Sequence, residues 1–164
     1  MADKKRTRTY SWEDPMEGAQ AAKVLSGLEY LQSILEGVNP NPPIAVTLGI
    51  EGVSAEDGRV TFTVTPAEFH YNPIGVVHGG LVSTLCDSAM GCAVHTKLAA
   101  GMAYTTLEIK VNMVRPITAK TGKLTCVGTV IHVGRSVATA EARVEDEQGR
   151  LYAHASTTCM IFQP

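Results

Sequence analysis

The chain has 164 residues, 45% of them hydrophobic and 18% charged, with a formal net charge of −2. That size fits one globular domain with a core of its own, and the charge argues against a protein built to bind nucleic acid. No stretch approaches the ~18 uninterrupted apolar residues of a membrane helix, and the N-terminus lacks the apolar run of a secretory signal, so the expectation is a soluble chain with no membrane partner.

The basic start, Lys4, Lys5, Arg6 and Arg8, is short and reads as a solvated terminus, with residues 1–13 expected to be disordered. A helix start follows at Asp14-Pro15-Met16-Glu17: an Asp cap, Pro at the first helical position and Glu three residues after the cap. Ser26-Gly27-Leu28-Glu29 has the pattern of a capping box, and Val24, Leu28, Leu31 and Leu35 fall on one helical face. Gly37 ends this segment, and Asn39-Pro40-Asn41-Pro42-Pro43 reads as an extended connector. Residues 1–43 thus form a disordered start plus an N-terminal helical segment docked on the main body, and no chemistry is legible in them.

Residues 44–164 form the main domain, and strands dominate it. Residues 45–52 read as a strand, and residues 59–66 alternate, with Val60, Phe62 and Val64 on one face. A turn-rich loop over 67–77 precedes one long helix, residues 80–98. Strands are expected over 103–114, 123–133, 136–147 and 150–162, separated by the turn signals Arg115-Pro116, Thr121-Gly122, Gly134-Arg135 and Gln148-Gly149. Closely spaced strands with short turns imply antiparallel hairpins. The helix is apolar almost all round, so it is buried, and a flat sheet cannot cover it; the sheet must curl around it, or a second subunit must help. Its one small, polar stripe is Gly80, Thr84, Asp87 and Gly91, which suits close approach of another backbone, such as a second copy of the chain. Cys86, Cys92, Cys126 and Cys159 form no CxxC pair and have no metal-ligand spacing, so they read as reduced core residues of a cytoplasmic chain. His70, His95, His132 and His154 make no metal pattern either.

Chemistry concentrates where the long helix begins. Gly79 and Gly80 leave backbone N–H groups open at the positive end of the helix dipole, a place to hold an anion or a polarised carbonyl oxygen, or merely a tight turn. Asp87 puts a carboxylate inside an apolar helix, either as a structural acceptor or as a general base or nucleophile. His78 fits a turn-stabilising role, with a general base as the alternative. Asn72, in Tyr71-Asn72-Pro73, is ordinary turn chemistry by its local sequence.

The run Asn72-x5-His78-Gly79-Gly80-x6-Asp87, with Thr105 eighteen residues later, resembles the hotdog-fold acyl-CoA thioesterases of the PaaI (phenylacetic acid degradation) type. Further matches are Asn112-x-x-Arg115-Pro116, Gly134-Arg135-Ser136 and Asp146-x-x-Gly149-x-Leu151, so the resemblance covers about residues 44–162. It implies an α+β hotdog fold, a curled antiparallel sheet wrapped around one central helix, here with an extra N-terminal helical segment. It implies hydrolysis of an acyl-CoA thioester without metal or other cofactor. The Gly79 N–H would polarise the thioester carbonyl, Asp87 would act as general base on water or, less favourably, attack directly, Thr105 would position water or carboxylate, Asn72 would orient water or substrate, and His78 would brace the loop. Gly80, Arg135, Ser136 and Arg115, with Lys123, are the candidates to meet substrate, the cations facing the CoA phosphates. The resemblance also implies a homo-oligomer whose minimal unit is a dimer, with a dimer of dimers expected, and a site shared between subunits: Asp87 and Thr105 from one, Asn72, His78 and Gly79 from the other. The alternative is a hotdog module that binds acyl-CoA without turning it over; such regulators carry an added DNA-binding segment, for which residues 1–43 are too short and too weakly basic. A hydratase or dehydratase on the same fold would place its acid–base pair differently.

Overall fold

The computed structural model describes residues 5–164, so Lys4 of the basic start lies outside the described residues. Residues 5–14 carry no regular element, yet they are not simply solvated. Arg6 pairs with Glu68, and Arg8 donates to the carbonyls of Val46 and Thr47 while its guanidinium lies 4.0 Å from the centre of the Phe69 ring.

Helix α1 spans Pro15–Val24 and α2 Gly27–Leu35. Asp14 caps the first through the Met16 N–H at 2.9 Å. Ser26 and Glu29 close the expected capping box, each side chain accepting the other's backbone N–H. The two caps produce two helices, so the single apolar face expected from Val24 to Leu35 is broken: Val24 is exposed while Leu31 is buried. Gly27 docks α2 on the body. Its N–H donates to the Leu98 carbonyl at 3.0 Å, and a Cβ there would sit 1.8 Å from the His95 carbonyl oxygen, so a side chain at this position would separate the two helices.

Residues 45–52 are not the strand their β-branched content implies. Helix α3 occupies Pro43–Leu48, with Pro at its first turn and Gly49 at φ 68° as the left-handed cap. The proline start and glycine stop override the preference of Val46 and Thr47 for extended backbone. Strand β1 therefore begins only at Ile50 and runs to Glu56, followed by β2, Arg59–Val64. A short 3-10 turn covers Glu68–His70. Helix α4 spans Gly79–His95, ending three residues before the expected 98. Strands β3 (Ala103–Met113), β4 (Leu124–Val133), β5 (Val137–Asp146) and β6 (Leu151–Phe162) follow, close to the expected bounds.

The six strands make one sheet in the order β1-β2-β4-β5-β6-β3, antiparallel throughout. It curls around α4, which touches every strand. Alternation along β5 and β6 turns one face inward, and under the helix that face is small: Ala138, Ala140 and Ala142. The closest approach is at Gly128 on β4, where a Cβ would lie 2.2 Å from the Ala89 carbonyl oxygen. Leu85, Met90, Val94, Leu124 and Val144 fill what remains, each large side chain contributing roughly 1.5–3 kcal/mol by its burial. This is the helix wrapped by a curled sheet that the resemblance implies. Leu31, Ala55, Val60 and Ala93 form a second, smaller cluster beneath α2.

Asp146 pins the β5–β6 turn. It accepts from the backbone N–H groups of Gln148 and Arg150, from the Arg150 guanidinium at 2.6 Å and from the Tyr152 hydroxyl at 3.2 Å. Burial works against its charge, but these donors outweigh it and hold the carboxyl below its ordinary range.

Candidate active site

The loop before α4 is built as a bracket. Asn72 Oδ1 accepts from the N–H groups of Ile74 and Val76 at 3.0 and 3.3 Å, and the Asn72 N–H donates to the Val76 carbonyl at 2.8 Å. The side-chain oxygen thus does turn work, as its local sequence implies; its amide nitrogen donates to nothing among the described residues. His78 is the N-cap of α4: its Nδ1 accepts the Gly80 N–H at 2.8 Å, the turn-stabilising role. Gly80 has spent its donor on the histidine. The Gly79 N–H meets no acceptor among the described residues, so the open donor at the helix mouth belongs to Gly79. Asn72, Gly79 and Arg115 line one surface depression together with Val82, Met113 and Pro116.

His70, a residue that no motif or spacing singles out, anchors this loop from below. Its Nδ1 accepts the Ala67 N–H at 3.0 Å. That fixes the proton on Nε2, which donates to the Leu48 carbonyl at 2.8 Å. The His70 carbonyl accepts the His78 N–H at 2.8 Å. Burial lowers the pKa of the ring, against the Leu48 bond and with the Arg8 charge, so it serves as a neutral brace.

Asp87 lies half-buried two turns into α4. Its Oδ1 accepts the Thr106 hydroxyl at 2.9 Å; Oδ2 has no hydrogen-bond partner among the described residues. The hydroxyl beside the carboxylate is therefore that of Thr106 and not of Thr105. Strand alternation is the cause. Thr106 pairs across β6 with buried Cys159, whereas Thr105 pairs with exposed Met160 and stands on the outer face. A Cβ at Gly91 would lie 2.7 Å from the Tyr104 ring and Asp87 meets Thr106, so this end of the α4 stripe borders the chain's own β3. Around the carboxylate, burial pushes the Cys92 thiol up to about 12 and raises Tyr104 and Cys159 as well. Burial thus favours the protonated form of these neighbours.

One chain therefore gathers Asn72, His78, Gly79, Gly80 and Arg115 at the helix mouth and sets Asp87 with Thr106 apart from them. Gly79 and Asp87 are eight residue steps apart on the helix, ~12 Å along the axis. Arg115 lies at the mouth, its guanidinium on the Leu151 carbonyl. Arg135 and Ser136 are exposed at the β4–β5 turn. That turn sits where β5 starts at Val137, opposite Met160 near the end of β6, whereas the helix mouth touches Met113 at the other end of β3. The strand β3 spans roughly 33 Å, so the structure does not bring Arg135 and Ser136 to Gly79 of the same chain. Among the described residues no cluster of three or more His, Cys, Asp or Glu side chains is gathered to hold a metal ion, and no helix is long and apolar enough to cross a membrane.

The family profile described as "Thioesterase superfamily" matches residues 74–153, from the loop before α4 into β6. The 1,4-dihydroxy-2-naphthoyl-CoA hydrolase of Listeria monocytogenes is 27% identical over 115 residues, 70% of this chain and 92% of that protein. Among solved structures, a conserved protein of Pseudomonas aeruginosa is 30% identical with a TM-score of 0.69, covering 74% of this chain and 95% of its own. The E. coli PaaI protein from the phenylacetic acid degradation operon has a TM-score of 0.72, covering 84% of this chain and 94% of that one; at 22% identity this is a likeness of fold.

Proposed function

The chain belongs to the thioesterase superfamily, and from that premise we propose that it hydrolyses an acyl-CoA thioester to the free acid and CoA. The observation that carries this reading is the division of labour on α4. Among the described residues the Gly79 N–H at the helix mouth meets no acceptor, and Asp87 has one carboxylate oxygen on Thr106 and the other without a partner. A thioester carbonyl needs little more than one polarising donor and one base.

In the proposed cycle the thioester oxygen sits on the Gly79 N–H. The open oxygen of Asp87 takes a proton from water as the water oxygen bonds the carbonyl carbon. The tetrahedral intermediate collapses by breaking the C–S bond, and the proton on Asp87 returns to the departing thiolate. Thr106 keeps the carboxylate oriented. His78 holds the mouth by occupying the Gly80 N–H, and the Asn72 amide nitrogen is positioned to meet substrate or water. The name of the Listeria relative supports CoA as the carrier of the acyl group.

The ~12 Å between Gly79 and Asp87 requires that each active site combine the mouth of one subunit with the Asp87 of another. Strand β3 supports a partner there. It is an edge of the sheet, eleven residues long, with Leu107 and Met113 exposed, and an edge of that length invites pairing with a second copy. An antiparallel β3–β3 contact would carry the far end of the partner, with Arg135 and Ser136, toward the mouth, where those groups and Arg115 would meet the CoA phosphates. The minimal unit is a dimer, assembled further as a dimer of dimers. Four free cysteines suit a reducing, cytoplasmic setting. The test is a panel of acyl-CoA thioesters assayed with a thiol reagent: CoA release well above the buffer rate is expected, and none from any member of the panel would sink the reading.

A further inference from the structure

We infer that Arg8 is a positioning residue for the reaction: from the N-terminal segment it fixes the loop that sets the Gly79 N–H. The inference rests on the hydrolase reading above. It adds to the site a part of the chain that the superfamily profile, residues 74–153, does not reach.

Helix α3 ends without a basic residue in its last turn. The last carbonyls of a helix have no partner within it and carry partial negative charge. Arg8 supplies the cation from outside: its Nη1 donates to the Thr47 carbonyl, and its Nη2 to the Val46 carbonyl at 3.1 Å. The next carbonyl, that of Leu48, accepts from His70 Nε2 at 2.8 Å. One arginine and one histidine thus hold three successive carbonyls at the end of α3. The two side chains meet again on Phe69. The Arg8 guanidinium lies 4.0 Å from the centre of the Phe69 ring, and that ring packs edge-on against His70 with centroids 4.1 Å apart. Phe69 is 53% exposed, so the body of the domain does not bury it and the guanidinium helps to fix it. Arg6 adds an ion pair to Glu68 in the same 3-10 turn.

The path from this clamp to the site is short. The His70 carbonyl accepts the His78 N–H at 2.8 Å. His78 Nδ1 in turn accepts the Gly80 N–H, and that bond sets the first turn of α4, where Gly79 keeps the open donor. Without Arg8, Phe69 is uncovered and His70 holds the end of α3 alone, so the loop opens more often. An oxyanion donor works by being fixed in place before the reaction, so a looser loop lowers kcat rather than affinity for the substrate.

The test has one arm that needs no catalysis. Arg8 is exposed, so Arg8→Ala leaves the core as it is. Amide hydrogen exchange at His78 and Gly80 should quicken at least about tenfold in this variant, the effect of losing hydrogen bonds from one charged donor. Exchange at residues 85–89, in the middle of α4, should not change. Arg8→Lys, which keeps the charge and can still donate to the carbonyls, should restore most of the protection. The second arm uses the acyl-CoA of the panel above that the wild type hydrolyses fastest. Arg8→Ala should lower kcat about tenfold and leave KM within about twofold. In Gly79→Pro, which lacks the donor, the same change should lower kcat by less than about twofold, because both losses act through one group. A loss that multiplies in full in the Gly79→Pro background makes Arg8 merely structural and overturns the inference. Unchanged exchange at His78 and Gly80 in Arg8→Ala overturns it as well, whatever the kinetics. A wild type that releases no CoA from the panel overturns the hydrolase reading instead, and the exchange rates still decide whether Arg8 fixes the loop.

Discussion

The Thr106 hydroxyl donates to Asp87 Oδ1 at 2.9 Å across the gap between β3 and α4, while Thr105, its neighbour in sequence, stands on the other face of the strand. A hydrogen bond to a charged group is worth ~1.5–3 kcal/mol, or roughly ten- to hundredfold in rate if it serves the transition state. Thr106→Val should lower kcat in that range, and Thr106→Ser should recover most of it. Thr105→Val should stay within about twofold of the wild type. Steady-state kinetics on one acyl-CoA decides; equal losses at both positions would mean that the carboxylate does not depend on its observed partner.

The open Gly79 N–H can be removed without removing the helix. Gly79 is the first residue of α4, where proline is well tolerated, and the preceding His78 has φ −66° and ψ 135°, a conformation that proline permits in its predecessor. Gly79→Pro should therefore fold and lose ~10²–10³ in kcat, the usual cost of one oxyanion donor. Gly79→Ala is the control. It keeps the N–H and adds only a Cβ, which would press on the flexible end of Met113 at 2.8 Å. A Gly79→Pro enzyme as active as Gly79→Ala would dismiss the donor.

Asp146 ties folding to acidity. Its folded-state pKa lies below the ordinary carboxyl value, burial being outweighed by the Arg150 and Gln148 donors. A depressed pKa stabilises the fold at pH above the unfolded value of ~3.9, and the contribution disappears as the pH falls through the folded value. Asp146→Asn should melt a few degrees below the wild type at pH 7, with the gap closing as the pH drops below about 4. Melting curves from pH 7 down to pH 2.5 give the answer; a gap that widens in acid would reverse the assignment.

What the sequence disclosed and what it withheld have physical causes. Strands β3 to β6 are legible because one face packs on α4, so burial alternates with period two and turn residues mark each end. Helices α1 and α2 announce themselves by their caps. Helix α3 does not, because Val46 and Thr47 look like strand residues and only Pro43 and Gly49 say otherwise. The site shows the same contrast. Asn72, His78, Gly79 and Asp87 are fixed by spacing along one loop and one helix. The hydroxyl partner sits on another element, where a shift of one residue exchanges the two faces, and two adjacent threonines carry no sign of which faces inward. His70 is not legible because its value lies in the backbone groups that it holds together in the fold.

A shared site makes a prediction that a site within one chain cannot. Asp87→Asn should fold, since an amide oxygen can still accept from Thr106, and should lose ~10²–10⁴ in kcat as a missing general base does. Gly79→Pro disables the other half-site. If the mouth of one subunit works with the Asp87 of its partner, a mixed dimer holds one site with both lesions and one with none. Random mixing of the two variants in equal amounts, by unfolding and refolding together, makes half of the dimers mixed and should restore about a quarter of the wild-type activity. Sites contained within single chains would restore nothing. Recovery to that level, lost when either variant is refolded alone, would establish that the ~12 Å between the polarising N–H and the base along α4 is closed by a second subunit.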